Sequence, residues 1–164
     1  MPTISWMKPI ELTHSDVLGY DQVDRLKDKP GLYFFSRRFG KGAYEPFYIG
    51  KSLKISLRLD QYVSSKGKHE KRIRKVVLGG HDVYSGIQLG IGPRFFHFGY
   101  VNPSKGLNMD KAIGYAERAL IQYARIVGWK IINNHYAGPA AFRSFDVNGS
   151  KYNRLLPNKL ISHK

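Results

Sequence analysis

Glu117 is the carboxylate of this chain whose position most demands a partner. Laid out at about 100° per residue, the stretch Asp110 to Val127 lines up Ile113, Ala116, Leu120, Tyr123 and Val127 on one apolar stripe. Glu117 falls within about 40° of Ile113, beside Ala124, while Lys111, Arg118, Gln122 and Arg125 take the opposite side. A carboxylate at the border of a buried stripe is costly to leave uncompensated. Glu117 is therefore expected to meet either a basic side chain, Arg58 or a lysine, or a metal cation. The chain holds no cysteine, and its six histidines lack paired spacing. Thiolate sites are thus excluded, a zinc site is not expected, and a catalytic metal would have to be held by oxygen.

Arg58 and Tyr62 stand four residues apart and share a helix face. A guanidinium there can grip a phosphate through two parallel hydrogen bonds, or it can brace a carboxylate. Tyr33 and Tyr48 sit in short aromatic runs that read as strands, where rings ordinarily pack against cross-strand neighbours. Taken singly, none of these residues specifies a reaction.

The elements that must position them follow from pattern. Residues 1 to 30 are expected to form a partly helical lead-in, closed by the breaker pair Pro30-Gly31. The run Gly31 to Ser36 predicts a strand and Phe47-Tyr48-Ile49 a second, joined as a hairpin by a longish loop around Gly40 and Gly42. Ser52 can cap the helix that follows, in which Ile55, Leu59 and Tyr62 recur at i, i+4 and i+7 with Arg58 at the edge of their face. After a basic loop at 64 to 69, a second helix is expected over His69 to Leu78, stopped by Gly79-Gly80. Gly86 to Ile91 and Arg94 to Val101 predict two further strands, and the tail from Trp129 shows no period. The long helix before it stops at Gly128. The sum is an α+β fold, a small central antiparallel sheet of three or more strands flanked by helices, in a single domain over 1–164.

In chain order, Gly31-Leu32-Tyr33, then Tyr48-Ile49-Gly50-Lys51, then Arg58, then Glu117, and finally Asn133 or Asn134 resemble the signature of the GIY-YIG nuclease superfamily. That family carries two strand motifs close to Gly-Ile-Tyr and Tyr-Ile-Gly, an arginine on the next helix, a glutamate on a later helix and a polar residue, usually Asn, shortly after it. The ten-residue step from Tyr48 to Arg58 matches the family, Tyr62 stands where members carry His or Tyr, and Lys51 looks like the lysine of its excision-repair branch. Gly-Leu-Tyr is a variant of the first motif, the hairpin loop is longer than usual, and two adjacent asparagines compete for the last slot. The resemblance spans 31–134, a nuclease core with N- and C-terminal extensions.

What the resemblance implies is a divalent-metal-dependent DNA endonuclease that leaves 5′-phosphate and 3′-hydroxyl ends. Glu117 would hold one Mg²⁺ or Mn²⁺ ion at the scissile phosphate, and Arg58 would neutralise that phosphate from another side. Tyr33 would take the proton of the attacking water, its pKa lowered from about 10 by Lys51 and Arg58. Tyr48 and Tyr62 would orient phosphate or water. Asn133, or Asn134 in its place, would fix the end of the metal-binding helix.

Charge points the same way. Lys and Arg number 27 against 12 Asp and Glu, a formal +15, which favours a polyanionic partner through release of its condensed counterions. Nine basic residues against two acidic ones lie between Lys51 and Lys75. Of these, Lys54, Lys66, Lys68, Lys71, Arg72, Arg74 and Lys75 are expected to hold the DNA backbone. Met1 to Ile10 carries charge and proline where a secretory signal needs an apolar stretch, and no run approaches roughly 20 apolar residues. A cytoplasmic protein without membrane contact is expected. No zinc finger or helix-turn-helix is appended, which leaves a stand-alone restriction enzyme, a phage-type DNA-degrading enzyme or a nuclease toxin. Restriction is favoured because the two ends and the hairpin loop could supply base contacts. One site per chain would then require a homodimer or sequential binding to cut both strands. The competing class is a non-catalytic or RNA-directed nucleic-acid-binding module.

Overall fold

The computed structural model describes residues 2–14, 18–20, 26–64, 68–90, 92–133, 141–149 and 155–163. Its strands are β1 (Thr3–Trp6), β2 (Ile10–His14), β3 (Leu18–Gly19), β4 (Gly31–Arg37), β5 (Glu45–Ser52), β6 (Arg94–Asn102), β7 (Arg143–Gly149) and β8 (Lys159–Ser162). The helices are α1 (Ile55–Ser64), α2 (Lys68–Val77) and α3 (Met109–Val127). The architecture is α+β, and the strands join in one sheet with β4 between β5 and β6.

β4 is buried from Gly31 to Ser36 because both faces of the sheet are covered, which is why it reads as a nearly unbroken apolar run. Leu32 and Phe34 pack into the α3 core together with Ile49, Ile113 and Ala116. Tyr33 and Phe35 face the other way, into an aromatic core with Tyr48, Leu59, Tyr62 and Ile73. Two hydrophobic layers thus meet across one sheet.

Three segments depart from what their local pattern suggests. The lead-in is strand rather than helix: β1 pairs with Gly99–Asn102 of β6, and β2 continues along the same edge of β6 on Arg94–Phe96. Ile4 and Trp6, then Ile10 and Leu12, enter the core at a period of two, which the intervening Met7-Lys8-Pro9 hides. The tail also contributes strands, with β7 alongside β1 in parallel and β8 antiparallel to β7, so the sheet is mixed rather than antiparallel throughout. Finally, Gly86 to Ile91 contributes only a single bridge, His81 to Gln88, among the described residues.

The helix ends carry their own chemistry. Ser52 does not cap α1: its hydroxyl accepts from the Lys54 N–H at 3.0 Å, one step outside the helix. The first turn is satisfied from the lead-in, with Asp28 Oδ1 accepting from Leu57 N–H at 3.0 Å and the Lys29 and Lys27 carbonyls from Ile55 and Ser56 at 3.1 and 3.3 Å. α3 begins on Asn108, which accepts from Lys111 N–H, and ends on Gly128 in the left-handed region at φ 83°. Arg118, placed on the solvent side by periodicity, is buried instead, its Nε donating to the His163 carbonyl at 2.8 Å, because β8 packs along α3. Among the described residues no helix is long and apolar enough to cross a membrane.

Candidate active site at the β5 edge

Tyr33 on β4 stands opposite Gly50 on β5 in the ladder. A Cβ built on residue 50 would lie 2.3 Å from both Cζ and Oη of Tyr33, so the phenol passes over the one position of β5 where no side chain can be accommodated. The Tyr33 and Tyr62 hydroxyls are 2.7 Å apart and hydrogen-bonded. The Tyr48 ring centroid lies 6.3 Å from that of Tyr33 and 6.4 Å from that of Tyr62, and Tyr48 and Tyr62 share a second hydroxyl contact. Exposure of Tyr33 is 2%, of Tyr48 7% and of Tyr62 0%.

Arg58 of α1 and Glu117 of α3 both act electrostatically on Tyr33 and Tyr48, Arg58 lowering and Glu117 raising their pKa values. Four elements therefore deliver their side chains to one place. It lies where α3 packs against β5, whose strand partner among the described residues is β4. Burial dominates the phenols: it pushes Tyr33, Tyr48 and Tyr62 above the ordinary tyrosine value. At neutral pH all three are uncharged, and for Tyr33 the pull of Arg58 is insufficient to reverse this.

Glu117 is half-buried. Burial raises its pKa above the usual carboxylate range, and the positive charge of Lys51 works against that rise. The ion pairs Arg37–Glu45, Arg72–Asp82 and Lys159–Asp146 engage acids other than Glu117. Of the basic side chains expected as partners, Arg58 or a lysine, it is Lys51 whose charge acts on Glu117. No group of three or more His, Asp or Glu that could cage a metal occurs among the described residues. A single half-buried carboxylate still fits a hard divalent ion that keeps its waters and takes substrate phosphate as further ligands.

Beside this cluster runs a groove of about 450 Å³ lined by Lys51, Lys54, Arg58, Gln61, Asp110 and Ile113 among others. Asp110 and Gln61 were not singled out by sequence. Asp110 precedes Glu117 by seven residues, two helical turns on the same face, a spacing that could have flagged it.

Asn133 lies after α3 and touches no reacting group. Its side-chain carbonyl accepts from the Ile49 N–H at 3.0 Å and its NH₂ donates to the Ile49 carbonyl, so it occupies the free edge of β5 as a neighbouring strand would. The Ile132 N–H donates to the Phe47 carbonyl at 2.8 Å and extends that pairing. Asn134, the other candidate, lies outside the described residues.

Of the basic residues, Lys54 lines the groove while Lys71 and Lys75 are exposed on α2, with Arg74 half-buried between them. Arg72 is engaged elsewhere, its Nε and Nη2 donating to the two carboxylate oxygens of Asp82 at 2.7 and 2.8 Å. Lys66 falls outside the described residues, and Lys68 opens α2. A second polar pair, Ser36 Oγ and His97 Nε2 at 2.7 Å, is fully enclosed on the α3 side of the sheet. Burial brings the His97 pKa down to about 3, so the ring is neutral and serves packing under Phe34.

Compared with family models, with curated proteins and with solved structures, the chain matches none.

Proposed function

We propose that this protein is a divalent-metal-dependent DNA endonuclease built on the GIY-YIG plan, hydrolysing phosphodiesters to 5′-phosphate and 3′-hydroxyl ends. One observation carries the reading: Tyr33, Tyr48, Arg58, Tyr62 and Glu117, drawn from four elements, converge beside a groove edged by Lys51 and Lys54. Arg58 and Lys51 would grip the scissile phosphate in that groove. Tyr33 and Tyr62 share one hydroxyl hydrogen bond, and Tyr62 and Tyr48 another; with Tyr62 donating to Tyr33, the chain would end on the Tyr33 oxygen, where hydrogen bonding favours negative charge. That is the oxygen suited to accept the proton of an attacking water, once positive charge in the groove offsets its burial. Glu117 would hold Mg²⁺ or Mn²⁺, which when bound supplies charge neutralisation at the phosphate and the leaving 3′ oxygen.

Incubation with supercoiled plasmid, with and without a chelator, tests it. The expected result is nicking that needs a divalent cation, products that religate, and loss of cutting but retention of DNA binding in Glu117→Ala. Equal cleavage by that variant would refute the assignment. The near-complete burial of Tyr33 and Tyr62 favours one alternative, a binding module without chemistry. It would bind plasmid, single-stranded DNA or RNA and nick none of them in any divalent cation.

A further inference from the structure

The connection between α2 and β6 is built more rigidly than a connection requires. Asp82 is 3% exposed, yet its carboxylate is fully engaged: it accepts from Arg72 Nε and Nη2 at 2.7 and 2.8 Å, from the Ser85 N–H at 3.0 Å, and from the Ser85 hydroxyl. The Asp82 N–H donates to the Ile87 carbonyl at 2.9 Å, and the Gly86 N–H returns to the Asp82 carbonyl at 2.8 Å. Gly86 closes the turn at φ 75°, a conformation that favours glycine. What this scaffold holds up is Val83 and Tyr84, 70% and 83% exposed. The Arg72 guanidinium sits 5.0 Å from the centre of the Tyr84 ring and occupies one face, leaving the other to solvent. Lys71 and Lys75, both exposed, flank Arg72 on α2.

We infer that the Val83-Tyr84 tip is a stacking platform for an unpaired or unstacked base of a nucleic acid strand whose phosphates are held by α2. A large aromatic side chain carried on a hydrogen-bonded turn, with a guanidinium against one face, loses less entropy on binding than one on a free loop, and every base offers a π face. The flanking cations select a polyanion as the owner of that face. Asp82 is a positioning residue, since it orders the turn and Arg72 without reaching the strand. The inference rests on the nucleic-acid reading above and narrows its substrate to DNA or RNA with at least one exposed base.

Fluorescence anisotropy with an oligothymidine of about 20 nucleotides and with a fully paired duplex of the same length tests it, alongside a 2-aminopurine oligonucleotide that reports stacking. Tyr84→Ala should weaken single-strand binding about 5- to 150-fold, abolish the 2-aminopurine quenching, and leave duplex binding and the slope of affinity against salt unchanged. Tyr84→Trp should restore all of it. Unchanged single-strand affinity, or equal loss on both substrates, overturns the inference while leaving the nuclease reading standing. Failure of the unaltered protein to bind any nucleic acid would remove the reading itself.

Discussion

The phenol of Tyr33 rests on the backbone of Gly50, in space that any other residue would fill with its Cβ, 2.3 Å from Cζ and Oη. The glycine of the Tyr-Ile-Gly run is therefore fixed by a side chain on the neighbouring strand rather than by its own backbone conformation. Gly50→Ala must push aside a ring that is 2% exposed and hydrogen-bonded to Tyr62. Overpacking of that kind costs about 1–3 kcal/mol. The variant should melt several degrees lower and lose nuclease activity out of proportion to that loss of stability, because the displaced group is the phenol itself. Full activity with an unchanged melting temperature would mean that the ring is not where it is described.

Under the proposed nuclease reading, Glu117 separates stability from catalysis. Its carboxyl pKa is raised in the folded chain by burial, so folding favours the neutral form. The stability linked to this group is complete below the unfolded value of 4.5 and is lost as pH rises through the raised folded value, leaving a cost at neutral pH. Glu117→Gln keeps the shape and removes the charge. It should therefore melt higher than the unaltered protein at pH 7, with the difference closing below pH 4.5. Metal-dependent cleavage should meanwhile fall by on the order of 100-fold or more. A Gln variant less stable than the parent at pH 7 would show that Glu117 has a compensating partner.

Where local pattern decides, the sequence is legible. β4, β5, α1 and α3 stand within a few residues of their expected bounds, because their apolar periods are uninterrupted and Gly128 marks a helix end by its conformation. Within the hairpin, Tyr33 comes to face Gly50 through register alone. What local pattern cannot supply is partnership between distant segments. β1 is short, and β1 and β7 pair with each other across most of the chain length, Thr3 with Asp146. Likewise nothing in the residues around Arg72 announces that Asp82 occupies it, and nothing around Tyr33 announces that burial will outweigh Arg58.

The three phenols set the alkaline limit of the fold. Tyr33, Tyr48 and Tyr62 are held above the ordinary value of 10.0, so the stability they contribute is complete below pH 10 and drains away above it as the unfolded chain ionises. The melting temperature should be flat from pH 7 to about 9.5 and fall beyond about pH 10. Tyr62→Phe removes one such phenol and the hydrogen bond to Tyr33, a loss of about 1 kcal/mol near neutral pH, and should make the alkaline decline shallower. Ultraviolet titration provides the check. If all eleven tyrosines of the folded protein ionise together near pH 10, the buried cluster does not exist.

Asn133 bears on the candidate site through its bonds to β5. Its amide accepts from the N–H and donates to the carbonyl of Ile49, the residue between Tyr48 and Gly50, so it holds the strand that presents one phenol and accommodates another. Asn133→Ala leaves both backbone groups of a buried edge residue without that partner, at about 1–3 kcal/mol in all. Asn133→Asp keeps the acceptor and loses the donor, so it should recover only part of the stability. Because neither change removes a group proposed to grip phosphate, DNA affinity on the nuclease reading should hold while kcat falls roughly 10-fold, the pattern of a misplaced phenol. A loss of affinity with kcat intact would instead put the amide in contact with the nucleic acid, and its role would have to be reassigned from positioning to binding.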